Sequence, residues 1–302
     1  MPPTLSIVIA VSGSAAGLVD CLQAVCAQAD DETEVIVASG IEPPGDLMAR
    51  FPRARWRLLG KGLLVPQLWA RGMAEARGRF VAITTAHFTP AADWVDTIRR
   101  AHARSGSAGI GGRIDPPRAG SAVDWATYFL RYSNYLAQDR EETVTDIAGD
   151  NASYERTALE AHRDAIREGF WEPDFHRLLF AEGRTLTFVP AMRLTQRSSY
   201  PFAAFCRQRL HHGRQFGSAR VSGKGWVTRL LRVASAPLIP GVFLAKIVSR
   251  VVRSRRDLGP FLVSSPILLA FLLSWVTGEV WGYLSRPGFL ATGSQRPQGE
   301  IT

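Results

Sequence analysis

The chain has 302 residues, 46% of them hydrophobic and 21% charged, so a large buried core is possible and global disorder is excluded. Its three cysteines, Cys21, Cys26 and Cys206, are too few for a disulfide framework and read as small buried thiols of a reducing compartment. The net charge of +9 excludes little by itself, and its distribution along the chain says more.

Leu5–Val11 (LSIVIAV) is a β-branched run without alternation, the pattern of a strand buried on both faces. The run is short and no basic residue precedes it, so the N-terminus does not read as a signal peptide. Gly13–Gly17 is a turn, followed by a helical stretch to Ala27. Glu34–Ala38 and Arg53–Leu59 read as the second and third strands. Leu63–Ala76 reads as a helix stopped by Gly78, Phe80–Thr84 as a fourth strand and Ala91–Ala103 as the next helix. Strands alternating with helices predict an α/β architecture with parallel strands, whose ligands bind beyond the carboxyl ends. The segments at those ends are Ser12–Ser14, Ser39–Glu42 and Thr85–Thr89. No G-x-G-x-x-G follows the first strand and no Walker loop occurs, which takes away the main support for dinucleotide and NTPase readings.

Residues 1–182 carry 19 Lys/Arg against 24 Asp/Glu, whereas residues 183–256 carry 15 Lys/Arg and no acid. An acid-free run of this length calls for a polyanionic partner. Leu258–Gly278 is uncharged over 21 residues, close to the length that crosses a bilayer, and Val233–Ala245 is apolar but interrupted by Pro237 and Pro240. Arginines beside long apolar stretches favour an anionic membrane surface over nucleic acid, each contributing about 1 kcal/mol near such a surface. A transmembrane hairpin would carry Lys246, Arg250, Arg253, Arg255 and Arg256 outward, against the positive-inside tendency. With Pro237, Pro240, Pro260 and Pro266, this favours broken helices lying in the membrane plane; one true span, or a buried soluble helix, is the alternative.

The order of segments resembles the family 2 glycosyltransferases, from Leu5 to Gly282. WARGMAEARGRFVAI (69–83) is similar to the family's "arN-x-g-x-x-x-A-x-G-x-x-i-a-f". TTAHFTPAADW (84–94) stands where the family has an acidic metal-binding cluster followed by P-x-x-x-W. GDNASYERTAL (149–159) is similar to "G-x-N-m-a-f-r-r-x-x-L", and GFWEPDFHRLLFAEG (169–183) to "E-D-x-D-L-x-x-R-L-x-x-x-G". GEVWGYL (278–284) looks like the tail of membrane-associated members.

The resemblance implies a GT-A fold, a Rossmann-like mixed sheet flanked by helices, with basic and apolar membrane-associated helices at the C-terminus. It implies inverting transfer of a sugar from a nucleotide-diphosphate donor to a hydroxyl of a lipid-linked or cell-surface glycan. Such chemistry needs a base for the acceptor proton and positive charge for the departing diphosphate. Glu172 matches the second acid of the family motif and is the candidate base, partly desolvated beside Phe170 and Trp171; Asp174 matches the final acid. Glu172 is equally placed to begin a helix ahead of Pro173.

Ser12, Ser39 and His87 fall at the donor site. Ser39 replaces the family's base-binding Asp, and Thr85-Ala86-His87 replaces the metal-binding D-x-D. The family implies a divalent metal, Mg2+ or Mn2+. Here His87 is the one ligand type left, and imidazole suits transition metals better than magnesium. The metal-binding His that the family often has near Gln196 is missing. Arg207, Arg209 and Arg214 in FCRQRLHHGRQFG are candidates to hold the diphosphate instead, or to meet lipid headgroups. Arg113, Asp150 and Asn151 fall where the family contacts the donor or acceptor sugar. The expected organisation is a catalytic domain over 1–196, a membrane-associated helical region over 197–290 and a disordered tail over 291–302. The expected location is the cytoplasmic side of the inner membrane. The alternative to an enzyme is a degenerate, non-catalytic membrane scaffold, suggested by the replaced acids.

Overall fold

The computed structural model describes residues 2–197 and 201–285; the tail read over 291–302 lies outside them. In chain order the elements are β1 (Leu5–Val11), α1 (Leu18–Cys26), β2 (Thr33–Ser39), α2 (Leu47–Arg50), β3 (Ala54–Leu58), α3 (Val65–Met73), β4 (Phe80–Thr85), β5 (Phe88–Pro90) and α4 (Trp94–Ser105). There follow β6 (Gly109–Asp115), α5 (Ala122–Tyr132), β7 (Glu142–Val144), β8 (Ala152–Glu155), α6 (Arg156–Ala161), α7 (Arg163–Ile166), α8 (Glu172–Ala181) and β9 (Leu186–Gln196). The described residues end with four helices, α9 (Phe202–Arg220), α10 (Trp226–Ser235), α11 (Leu238–Ser254) and α12 (Leu258–Leu284). They form two compact units, Met1–Pro116 with Gln138–Ser198, and Pro117–Ala137 with Ser199–Thr302.

The first unit is a mixed α/β layer structure. Its sheet runs β3-β2-β1-β4-β8-β6-β9-β5, with β7 paired to β9. β3, β2, β1 and β4 are mutually parallel, as the strand–helix alternation predicts. β8 joins antiparallel to both β4 and β6, which makes the sheet mixed. Every residue of β1 is buried, because helices cover both faces. On one face Val8, Ile36, Val81 and Ile83 pack with Leu68, Trp69, Phe170, Phe175 and Leu179. Gly72 of α3 lets the backbone approach β1: a Cβ there would lie 2.3 Å from Val8 Cγ1. α1 covers β-strands with Leu18, Cys21, Leu22 and Val25.

The order reverses between β1 and β4, since β2 follows β1 on one side and β4 lies on the other. In a parallel sheet this switch point opens a crevice beyond the strand ends.

Of the cysteines, Cys21 alone is buried as expected, and burial pushes its thiol up to about 12. Cys26, the last residue of α1, and Cys206 are half-buried instead.

The second unit is helical. α9 and α12 cross with almost no space between their backbones, because glycines meet there. A Cβ at Gly213 would lie 2.1 Å from the Trp275 carbonyl oxygen, one at Gly217 2.3 Å from that of Glu279, and one at Gly278 2.0 Å from that of Leu210. Gly213/Gly217 and Gly278/Gly282 are thus matched G-x-x-x-G pairs, the small-residue spacing of close helix crossings. Glu279, 1% exposed, is held between Arg220, Tyr283 and Trp275: it accepts from Arg220 at 3.3 Å and Trp275 Nε1 at 3.2 Å, and from the Tyr283 hydroxyl.

α12 has 27 residues and is long and apolar enough to cross a membrane. The break expected at its prolines does not occur. Pro260 sits in the first turn, whose N–H groups have no intrahelical partner anyway, and Pro266 removes one hydrogen bond without stopping the helix. Pro237 does mark a bend, of 49°, between α10 and α11.

Candidate functional site

The ends of β1 and β4 lie side by side at the switch point. The loop after β1 folds onto the turn after β4: a Cβ at Gly17, where φ is +79°, would lie 2.6 Å from the Ala86 carbonyl oxygen and 3.7 Å from His87 Cα. The Ala86 amide donates to the Ala10 carbonyl at 3.1 Å, and the Arg197 amide donates to the His87 carbonyl at 2.9 Å. Ser12, Thr85 and His87 are brought to one place by this backbone.

Ser39 ends β2 and is buried. Its hydroxyl donates to the Ile41 carbonyl at 2.5 Å and accepts from the Ile41 amide at 3.3 Å, so it shapes its own loop. A hydroxyl in this arrangement cannot hold a nucleotide base in the manner of a carboxylate.

Thr84 and Thr85 hydroxyls and the Gln196 side-chain oxygen are buried with no hydrogen-bond partner among the described residues. Native interiors leave few such groups unmatched. Gln196 stands directly across from Phe88, three residues beyond Thr85. These oxygen atoms are sealed beneath the strand ends, so the interior here is polar yet carries no charge. A divalent metal does not fit this donor set, which offers a hydroxyl at 85, a methyl at 86 and one imidazole at 87. Among the described residues no three His, Cys, Asp or Glu are grouped to hold a metal ion.

Glu172 is the first residue of α8, with Pro173 next, so the helix-start reading of this acid is correct. Its carboxylate lies against Gly149: a Cβ at 149 would be 2.3 Å from Glu172 Oε1 and 2.6 Å from Cδ. The short 3-10 turn Gly149–Asn151 and the start of α8 thus form one wall, with Asp150 buried beside them. Asp174 is half-buried and pairs with Arg177 on its own helix. Asn151 is fully buried and its amide is committed internally. Oδ1 accepts from Trp94 Nε1 at 2.9 Å, and Nδ2 donates to the Arg113 and Met192 carbonyls, each at 2.9 Å. It ties α4, β6 and β9 to the turn that carries Asp150. Arg113 points to acids, Asp115 at 3.3 Å and Asp139 at 3.7 Å, and Asp115 is shared with Arg193 at 2.7 Å.

One arrangement escapes motif reading. Tyr154 of β8, buried completely, shares a 2.8 Å hydrogen bond with His176 Nε2, and His176 Nδ1 lies 2.9 Å from Asp146 Oδ1. Burial pushes the Tyr154 phenol well above its ordinary 10, and the charges of Glu172 and Asp146 push the same way. His176 follows Glu172 by four residues, one helical turn, which is the sequence signal that could have singled it out.

Arg207, Arg209 and Arg214 lie on α9, in the second unit. Arg209 lies over the rings of Phe205 and Trp275 at 5.4 and 5.1 Å, and Arg214 over Trp281 at 4.2 Å. Arg207 is exposed.

A model of the family described as Glycosyl transferase family 2 matches residues 6–163. Among solved structures, the mannosyltransferase PcManGT from Pyrobaculum calidifontis, in complex with GDP-Man and Mn2+, is similar. It is 15% identical with a TM-score of 0.54, over 93% of this chain and 88% of that one. GalNAc-T7 with UDP, GalNAc and Mn2+ is 14% identical with a TM-score of 0.49, over 65% and 44%. S. aureus TarS 1-349 is 10% identical with a TM-score of 0.48, over 68% and 64%. At these identities the likeness to PcManGT is one of fold. No curated protein matches the chain.

Proposed function

Because the chain belongs to glycosyl transferase family 2, we propose that it moves a sugar from a nucleotide-diphosphate donor to a hydroxyl of a lipid-linked or cell-surface glycan, with inversion. Sugar transfer in general follows from the family. The donor's diphosphate, the acceptor and the stereochemistry are our reading.

The observation that carries it is the seating of Glu172 against Gly149, at the start of α8 and beside buried Asp150. A carboxylate held there takes the acceptor's hydroxyl proton as the new C–O bond forms and the anomeric carbon–diphosphate bond breaks on the opposite side. Ser12 and His87, at the ends of β1 and β4, are the residues that face the donor. Arg207, Arg209 and Arg214 belong to the second unit, where Arg209 and Arg214 lie over its own aromatic rings, and they carry no part of this reading. Arg113 and Asp150 contact sugar hydroxyls, and Asn151 holds the turn that presents Asp150. In this reading residues 1–196 form the catalytic domain and 197–290 the membrane-associated region. α12 and the acid-free run 183–256 support attachment to an anionic membrane, on its cytoplasmic side.

The second reading, a non-catalytic scaffold, is favoured by one observation: Ser39 and Thr85-Ala86 stand where donor-binding acids are usual, and the Ser39 hydroxyl is turned to its own loop. Calorimetric titration of the purified chain with uridine, guanosine and adenosine diphosphates separates the two. The transferase reading expects one of them to bind; no heat with any at millimolar concentration sinks it.

A further inference from the structure

The second unit contains a cavity of about 250 Å³ that the sugar chemistry does not use. Arg220 at the end of α9, with Arg232 and Ser235 of α10, supplies its polar lining. Leu238, Val242 and Phe243, one face of the first turns of α11, supply its apolar lining. The 49° bend at Pro237 opens the angle between the two linings. We propose that this cavity binds the headgroup of an anionic glycerophospholipid, a discrete lipid site rather than general adsorption to a charged surface.

Charge and shape both lead there. Glu279, the acid nearest this lining, is already held by Arg220 and Tyr283, which leaves the wall net positive. Arg232 makes no ion pair within the described residues, and no acid occurs anywhere from 183 to 256. A phosphodiester accepts hydrogen bonds from guanidinium and from the Ser235 hydroxyl, and the charged pair is the strong kind. The apolar wall does not end at the cavity. Leu238 and Val242 line it and are also 69% and 53% exposed, and Trp226, Leu230 and Leu231 of α10 continue an exposed apolar surface. An inorganic anion would use the arginines and leave that hydrocarbon bare. A lipid uses both, its headgroup in the cavity and its chains running out along α10 and α11. The volume suits a phosphate with its glycerol, and not the chains.

The test uses the full chain in a neutral detergent. Binding of dioctanoyl phosphatidylglycerol is measured by native mass spectrometry against dioctanoyl phosphatidylcholine and against inorganic phosphate, with thermal unfolding as a check on folding. The parent protein is expected to bind the anionic lipid about fivefold more tightly than the zwitterionic one, the effect of one uncompensated cation at an anionic group. Inorganic phosphate is expected not to displace it. Arg232→Gln and the cavity-filling Val242→Trp should each remove that preference, whereas Val252→Trp, on an exposed position of α11 outside the cavity lining, should keep it. Equal binding of the two lipids, displacement by inorganic phosphate alone, or a preference unchanged in a folded Arg232→Gln variant would overturn the proposal.

Discussion

The Glu172 carboxylate occupies the space into which a side chain at position 149 would project. A methyl on Gly149 would lie 2.3 Å from Oε1 and 2.5 Å from Cγ. The backbone of Gly149 is not in the left-handed region, so it is space and not conformation that demands glycine.

Gly149→Ala should therefore move Glu172. A positional change near 1 Å at a reacting group can cost about 10²-fold in rate, while forced crowding costs about 1–3 kcal/mol of stability. Turnover with saturating donor, together with urea unfolding, checks both. Gly259→Ala, in the first turn of α12 where a Cβ meets nothing within 4 Å, serves as the control and should lower neither.

His102 makes stability depend on pH. It is buried, stacked on Phe80 at 4.0 Å, and shares a 2.9 Å hydrogen bond with Ser153 through Nε2. Burial, and secondarily the charge of Arg79, pushes it from 6.5 down to about 3. Its buried Nδ1 has no acceptor for the second proton. The folded chain stays neutral at this position where the unfolded chain takes up a proton. The contribution is thus constant above pH 6.5 and is lost as pH falls from 6.5 toward 3, at up to about 1.4 kcal/mol per pH unit. Urea unfolding at pH 6.5, 5.5 and 4.5 should show a slope that His102→Gln flattens. Below pH 3.8 the Asp30 carboxylate, held low by its hydrogen bonds to Arg99, adds a slope of the same sign.

The glycine crossing of α9 and α12 should tolerate no methyl. Gly278→Ala places a Cβ 2.0 Å from the Leu210 carbonyl oxygen, and the fixed backbones cannot yield cheaply. It should lower the melting temperature in detergent clearly. Gly241→Ala, on a helix with nothing within 4 Å, should leave it unchanged or raise stability by about 0.5–1 kcal/mol.

Much of the fold was legible because burial on both faces writes itself as unbroken apolar runs. LSIVIAV and FVAITT became β1 and β4, and the acid–Pro pair at 172–173 became the start of α8. Pro266 misled, since one lost hydrogen bond in a 27-residue apolar helix packed along α9 does not break it. The G-x-x-x-G pairs at 213/217 and 278/282 are plain in the sequence, but only their mutual facing gives them meaning. In the site, the place of Glu172 was readable from its motif and Gly149's relation to it was not, because the two lie 23 residues apart. Asn151 reads as a sugar ligand by motif, yet its amide holds three elements together.

Chelation tests the donor set at 85–87. With a hydroxyl, a methyl and one imidazole there, sugar transfer should proceed equally with and without EDTA. Loss of activity on chelation, restored by Mg2+ or Mn2+, would show that another group completes a metal site.

The proposed role of Glu172 is that of the base in a nucleotide-sugar transferase. The most direct measurement compares parent and Glu172→Gln in sugar transfer under saturating donor, with nucleotide affinity determined in parallel. Turnover is expected to fall by about 10²–10⁴-fold, the worth of a positioned base, with nucleotide affinity unchanged. Turnover near the parent level in the folded Glu172→Gln variant would contradict it.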